Sequence, residues 1–145
     1  MRYYKVVSIW ENRFFSSIVL FDDAPRWYHV EYAVDKWAYP TIKDSKLFVF
    51  DDLEATKRYC WNNFTLEEQL HKIKIFSCEI LNPEMTKIRM CGYLGSQAII
   101  NFWEGNTKNS RIIHKNTVLC DAVKLIEEVK QEILTLRLLK RTLET

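Results

Sequence analysis

The chain is poor in the residues that bend and punctuate a backbone, with three glycines and three prolines in 145 positions. The only close glycine pair is Gly92 and Gly95, which reads as a loop, and no phosphate-binding G-x-x-x-x-G-K-[S/T] run occurs. No G-x-S-x-G is present, which removes the serine nucleophile elbow. There is no H-E-x-x-H and no C-x-x-C. His29, His71 and His114 lie far apart, and Cys60, Cys78, Cys91 and Cys120 are scattered. The cysteines are read as small buried hydrophobes rather than as metal ligands or disulfides. No cofactor motif appears, so no cofactor is expected. No stretch approaches the roughly 18 apolar residues of a membrane span, and the charged N-terminus lacks a signal-peptide apolar region. The expected location is the cytoplasm. Net charge is +2, from 21 basic and 19 acidic residues. That balance argues against a general DNA binder, which neutralises many phosphates with a large basic excess.

What is present is an ordinary globular composition with an unusual share of rings. Hydrophobic residues make up 48% and aromatics 14%, including five tryptophans. A chain of this length buries a core without disulfides or a structural metal. No linker, repeat or low-complexity tract divides it, so residues 1–145 are read as one domain.

The pattern along the chain predicts an α+β fold. It has an antiparallel sheet, a short helix after the fourth strand, and a long C-terminal helix. Tyr3–Trp10 and Arg13–Phe21 read as a hairpin turning at Glu11-Asn12. Asp22-Asp23-Ala24-Pro25 is a turn, and Trp27–Ala33 alternates as a half-buried third strand. Trp37 to Lys46 reads as a loop, and Lys46–Phe50 as a buried central strand. Asp51 with Glu54 resembles a capping box for a helix to about Asn62, its inner face Ala55, Tyr59 and Cys60. Thr65 with Glu68 opens a second helical turn, Lys72–Ile80 is a strand, and Lys87–Met90 is a short one. Ser96 caps a helix ending at Gly105, and Arg111–His114 is a further strand. Residues 117–125 fit either a strand or a helix start. From about Asp121 to 143 a helix is expected, with Leu125, Val129, Ile133 and Leu136 as its stripe. Its later leucines spread around the circumference, which points to self-association.

The paired acids Asp22-Asp23 and Asp51-Asp52 fall at a turn and a helix cap, and adjacent side chains diverge, so neither reads as an acid/base pair. The more promising chemistry is a cation beside a ring. Arg26 precedes Trp27-Tyr28, Lys36 precedes Trp37, Arg58 precedes Tyr59, and Phe102-Trp103 precedes the loop to Arg111. A nucleotide needs a flat face for its base and guanidinium forks for its phosphates. On that chemistry the nominated ligand-binding residues are Phe102, Trp103, Arg89, Arg111 and Arg26. No catalytic or metal-binding residue is nominated.

Across nearly the full length, a series of segments carries a resemblance. They are YYKVV at 3–7, Ser16-Ser17, Tyr32 and Val34 before Trp37 and Pro40, and KLFVFDDLEATKRY at 46–59. Further along come IFSCEILNP at 75–83, Phe102-Trp103, and TVLCDAVKLIEEV at 117–129. The pattern resembles the first family of phage Thoeris anti-defence proteins. The resemblance implies a nucleotide sponge. Such a protein sequesters a cyclic ADP-ribose-type immune signal without cleaving it, and some relatives also hold a cyclic oligonucleotide. It implies homo-oligomers with pockets at subunit contacts, a ring against adenine and arginines against pyrophosphate. Two other readings stand beside it. One is a protein-interaction module built on the C-terminal helix. The other is an enzyme acting on nucleotides, for which no acid, base, nucleophile and orienting group cohere.

Overall fold

The structure is a computed structural model and describes residues 2–17, 19, 24–64, 66–84, 89–91, 100, 103–104, 110–112 and 116–130. It begins with β1 (Tyr3–Trp10) and β2 (Arg13–Ser16), paired antiparallel from Val7↔Ser16 to Trp10↔Arg13. β-Branched and aromatic residues fill both strands. Glu11 and Asn12 both take positive φ, 48° and 64°, the mirror-image turn that matches strand twist. Asn tolerates that region, whereas Glu is strained in it. Glu11→Asn is therefore expected to stabilise the fold by about 0.5 kcal/mol, read as a raised urea midpoint at unchanged slope.

The following strands are β3 (Glu31–Tyr32), β4 (Trp37–Ala38) and β5 (Leu47–Phe50). Helices α1 (Leu53–Asn63) and α2 (Glu67–Leu70) come next, then β6 (Ile73–Leu81) and a separate ribbon of β7 (Arg89–Cys91) and β8 (Ser110–Ile112). β9 (Thr117–Cys120) and β10 (Ala122–Glu128) complete the described elements.

The main sheet runs β3-β2-β1-β6-β10-β4, and its strand pairs are antiparallel. β1 gives one edge to β6 over Tyr3–Ser8. Its other edge forks: Val7–Trp10 pair with β2, and Tyr4 pairs with Phe50 of β5, which carries β9. Val34 bridges Leu125, and the Asp35 amide donates to the Leu125 carbonyl at 2.8 Å. These contacts draw the β3–β4 segment back onto β10, so the sheet nearly closes into a barrel.

Inside the barrel pack Val7, Tyr32, Val49, Cys78, Val118, Cys120, Val123 and Leu125. Outside, α1 and α2 cover Tyr4, Val6, Phe50, Ile73 and Ile75 with Cys60, Phe64 and Leu70. The helix starts where an acid reaches back over it. Asp52 is the N-cap, its carboxylate accepting from the Ala55 amide at 2.8 Å, and its carbonyl accepts from Thr56 Oγ1 at 2.7 Å. Asp52→Ala should cost about 1 kcal/mol in a denaturation series, while Asp51→Ala leaves this cap intact.

Several sequence expectations change. The cap is Asp52, not Asp51, while Ala55 and Cys60 face inward as expected. β2 stops at Ser16 instead of running to Phe21, and Ser17 is already in a turn. The third strand shrinks to Glu31–Tyr32, and Trp37–Ala38, expected in a loop, forms β4. The largest correction concerns the helix expected from Asp121. Residues Ala122–Glu128 are a strand between β6 and β4. The near-continuous apolar run A-V-x-L-I satisfies both periods, and β6 along its length, with β4 at Val123 and Lys124, supplies the strand partners that settle it. The remainder of that stretch, 131–143, lies outside the described residues. So does most of the expected 96–105 helix, of which the Glu104 amide to Ile100 carbonyl bond, 3.0 Å, is described. Among the described residues no helix is long and apolar enough to cross a membrane.

Candidate functional site

The segment expected to alternate as a strand instead folds back at Arg26. The His29 amide donates to the Arg26 carbonyl at 3.0 Å, and the Arg26 amide donates to His29 Nδ1 at 2.8 Å. Accepting at Nδ1 places the neutral ring's proton on Nε2. His29 is buried. The next residue is clasped by β2: the Val30 amide donates to Ser16 Oγ at 3.1 Å, and the Ser16 amide donates to the Val30 carbonyl at 2.9 Å. With both ends held, the tip of the turn points outward. Trp27 is 64% exposed, its ring edge-on to Tyr28 at 5.8 Å and 88°, and Arg26 beside it is also exposed. The turn thus carries an exposed guanidinium and an exposed ring at consecutive positions on an anchored backbone. His29→Ala removes the side-chain acceptor and should cost about 1 kcal/mol. In hydrogen exchange, the Arg26 amide is then expected to lose protection.

The other nominated residues sit elsewhere. Trp103 is half-buried, its ring tilted 40° against Phe48 of β5 at 5.9 Å, so part of its surface meets the protein's own ring. Phe102 lies outside the described residues. Arg89 pairs with Ile112 and Arg111 with Met90. These are consecutive register positions, which alternate between the two faces of a ladder. Sequence adjacency nominated Arg26; Trp27 became a candidate through its exposure, which no periodicity signals.

The other cation–ring neighbours are structural. Lys124 lies over Trp37, 5.1 Å from the ring centroid, and pairs with Glu79 at 3.1 Å. Tyr59 packs on Phe50 and Phe64 under α1.

A second polar group lies within the barrel. Lys5 is 8% exposed; its Nζ donates to the Phe48 carbonyl at 2.7 Å and sits 5.3 Å from the Tyr32 ring centroid. Burial pulls the Lys5 amine down to about 8, against the opposing pull of the Cys120 and Cys78 thiols. Burial pushes Cys78 and Cys60 up to about 12 and Cys120 up to about 11. These three free cysteines are protonated at neutral pH and poor nucleophiles. Desolvation also pushes the buried Tyr32 hydroxyl upward.

An open groove of about 460 Å³ is lined by Pro40, Ile42, Lys43, Asp44, Ser45, Lys46 and Asp121. Lys46 pairs with Asp121, which also accepts from Asn82 Nδ2 at 2.8 Å. Lys46 and then Asn82 hold the Asp121 carboxyl below its ordinary range, and the groove's central charges satisfy one another. Among the described residues, no three His, Cys, Asp or Glu side chains are placed to hold a metal.

No protein-family model, curated protein or solved structure matches the chain.

Proposed function

We propose that the protein is a non-catalytic binder of a small anionic nucleotide, a sponge that lowers a free signal by mass action. The observation that carries the reading is the anchored turn presenting Arg26 and Trp27 together. Trp27 offers a face for a base, and Arg26 a planar donor fork for phosphate. The resemblance of the sequence to the Thoeris anti-defence family supplies the ligand class, a cyclic ADP-ribose isomer or a cyclic oligonucleotide. It also supplies the role, a phage protein blocking a host's signal-driven defence from the cytoplasm. The same resemblance supports a homo-oligomer. Arg89, Arg111, Phe102 and Trp103 remain candidates for a further part of the pocket.

To act on a signal near roughly 0.1 µM, the protein needs about −10 kcal/mol of binding free energy. One stacked ring and charge-assisted phosphate bonds supply a large part of that. Incubation with a cyclic ADP-ribose isomer, removal of free ligand, heat denaturation and mass analysis of the supernatant tests the proposal. Release of the intact compound is expected; release of a hydrolysed product defeats it.

A second reading, a protein-interaction module, is favoured by the exposed apolar side chains Val34, Tyr39, Leu81 and Ile126. Under it, no nucleotide in a thermal-shift screen raises the melting temperature.

A further inference from the structure

Four of the large apolar side chains that stand exposed lie on or beside β4, β10 and β6: Val34 at 41%, Tyr39 at 58%, Leu81 at 38% and Ile126 at 37%. β4, β10 and β6 are neighbours there, and their registers fix which residues share the outer face. Lys124 is the cross-strand partner of both Trp37 and Glu79, and Ala122 of Leu81. Direct partners share a face, and so do residues two apart on one strand. The opposite face, with Ala38, Val123, Leu125 and Cys78, is the barrel interior. Tyr39 continues the β4 register one step toward Ala122. Ile126 is the extra residue where the β10 register shifts between Leu125 and Glu127, and Val34 bridges beside it at Leu125. The outer face therefore carries an apolar row of Tyr39 and Leu81, and a mixed row of Trp37, Lys124 and Glu79. α1 and α2 cover the same side of the sheet over β1, β5 and the start of β6, where Ile73 and Ile75 lie beneath them.

We infer that this face is where a second copy of the chain docks. Its charges select the partner. Lys124 and Glu79 stand side by side, 3.1 Å apart, with opposite signs. A face of one sign repels its own copy, whereas Lys124 and Glu79 are self-complementary, and the exposed Glu127 on the same face falls opposite the uncharged Ser77 of the other copy. A two-fold axis along the strands, between β10 and β6, sets each Lys124 opposite the other copy's Glu79, and each Leu81 opposite the other copy's Ala122. The contact is isologous: two aromatic anchors, Trp37 and Tyr39, flank a compensated charge pair. An acidic or basic macromolecule meets no such match. The inference rests on the self-association proposed above, but not on the ligand.

The test is sedimentation equilibrium of the full chain at about 1–100 µM, with melting temperatures recorded in parallel. Wild type is expected to form a dimer. Leu81→Arg and Tyr39→Arg are expected to weaken it at least about tenfold, while Leu136→Arg leaves it intact. Lys124→Glu alone should also weaken the dimer, and adding Glu79→Lys should restore it; this pair decides the matter if Leu81→Arg does not fold. A monomeric wild type overturns both the docking face and self-association. A dimer that survives Leu81→Arg and Lys124→Glu but is lost in Leu136→Arg overturns the face alone and places the contact after Lys130.

Discussion

Lys5→Met is expected to make the protein more stable at pH 7, although it deletes a hydrogen bond. The ammonium is held inside the barrel with the Phe48 carbonyl as its described acceptor, and burial pulls its pKa from 10.5 to about 8. A drop of that size corresponds to about 3 kcal/mol of disfavoured charging. Losing the bond to Phe48 returns about 1 kcal/mol, so the net gain is about 2 kcal/mol.

The pH dependence fixes the sign. Below about pH 8, Lys5 is protonated in both states and the whole cost is present. Between about 8 and 10.5 the folded state has released the proton and the unfolded state retains it, so wild-type stability rises with pH. Over this interval the difference from Lys5→Met shrinks. The thiols act in the opposite direction. Their folded values lie near 11 and 12 against an ordinary 9, so stability falls above about pH 9 as the unfolded thiols ionise. The wild type should therefore be most stable near pH 9. Urea midpoints at pH 7, 8, 9 and 10 for both proteins check this. A variant less stable than wild type at pH 7 shows that the ammonium's contacts outweigh its desolvation.

Val123→Asp is expected to abolish cooperative folding. In β10, Val123 is wholly buried inside the barrel and paired with Ile80 and Ala38. An unpaired carboxylate there costs about 4 kcal/mol or more, a large part of a small domain's stability. Ile126→Asp, at the exposed bulge position of β10, should cost under about 1 kcal/mol. A helix with the Leu125–Val129 stripe predicts the reverse for Val123. Two residues span about 200° of helical turn, which puts Val123 opposite the stripe and in solvent. Circular dichroism and urea titration of the two variants separate the alternatives.

These two sites show where local pattern carried information and where it did not. The β1–β2 hairpin was legible because its strands and its two-residue turn are chosen by neighbouring residues. The helix after β5 was legible to within one residue of its cap, since an acid before an apolar-periodic run acts locally. Residues 122–128 were not, because their state is set by β6 and β4, distant in sequence. The 26–29 turn was missed for another reason. Tyr28, Val30 and Tyr32 do alternate, but the bond from the Arg26 amide to His29 Nδ1 leaves no periodic trace. Nor does a lysine within Y-Y-K-V-V announce that it lies inside a barrel; that follows only from the curvature that brings Tyr32, Cys78 and Cys120 around it. For the candidate site, the chemistry of rings and arginines suggested five residues. The turn anchors Arg26 beside an exposed ring, whereas part of Trp103 is taken up by Phe48.

Isothermal titration of a cyclic ADP-ribose isomer into the wild type, Arg26→Ala and Trp27→Ala bears most directly on the proposed role. The account predicts saturable binding at submicromolar ligand, weakened about tenfold or more by either exposed substitution at unchanged melting temperature, with the titrant chemically intact afterwards. Absence of heat with every nucleotide of this class, or affinity indifferent to both substitutions, contradicts it.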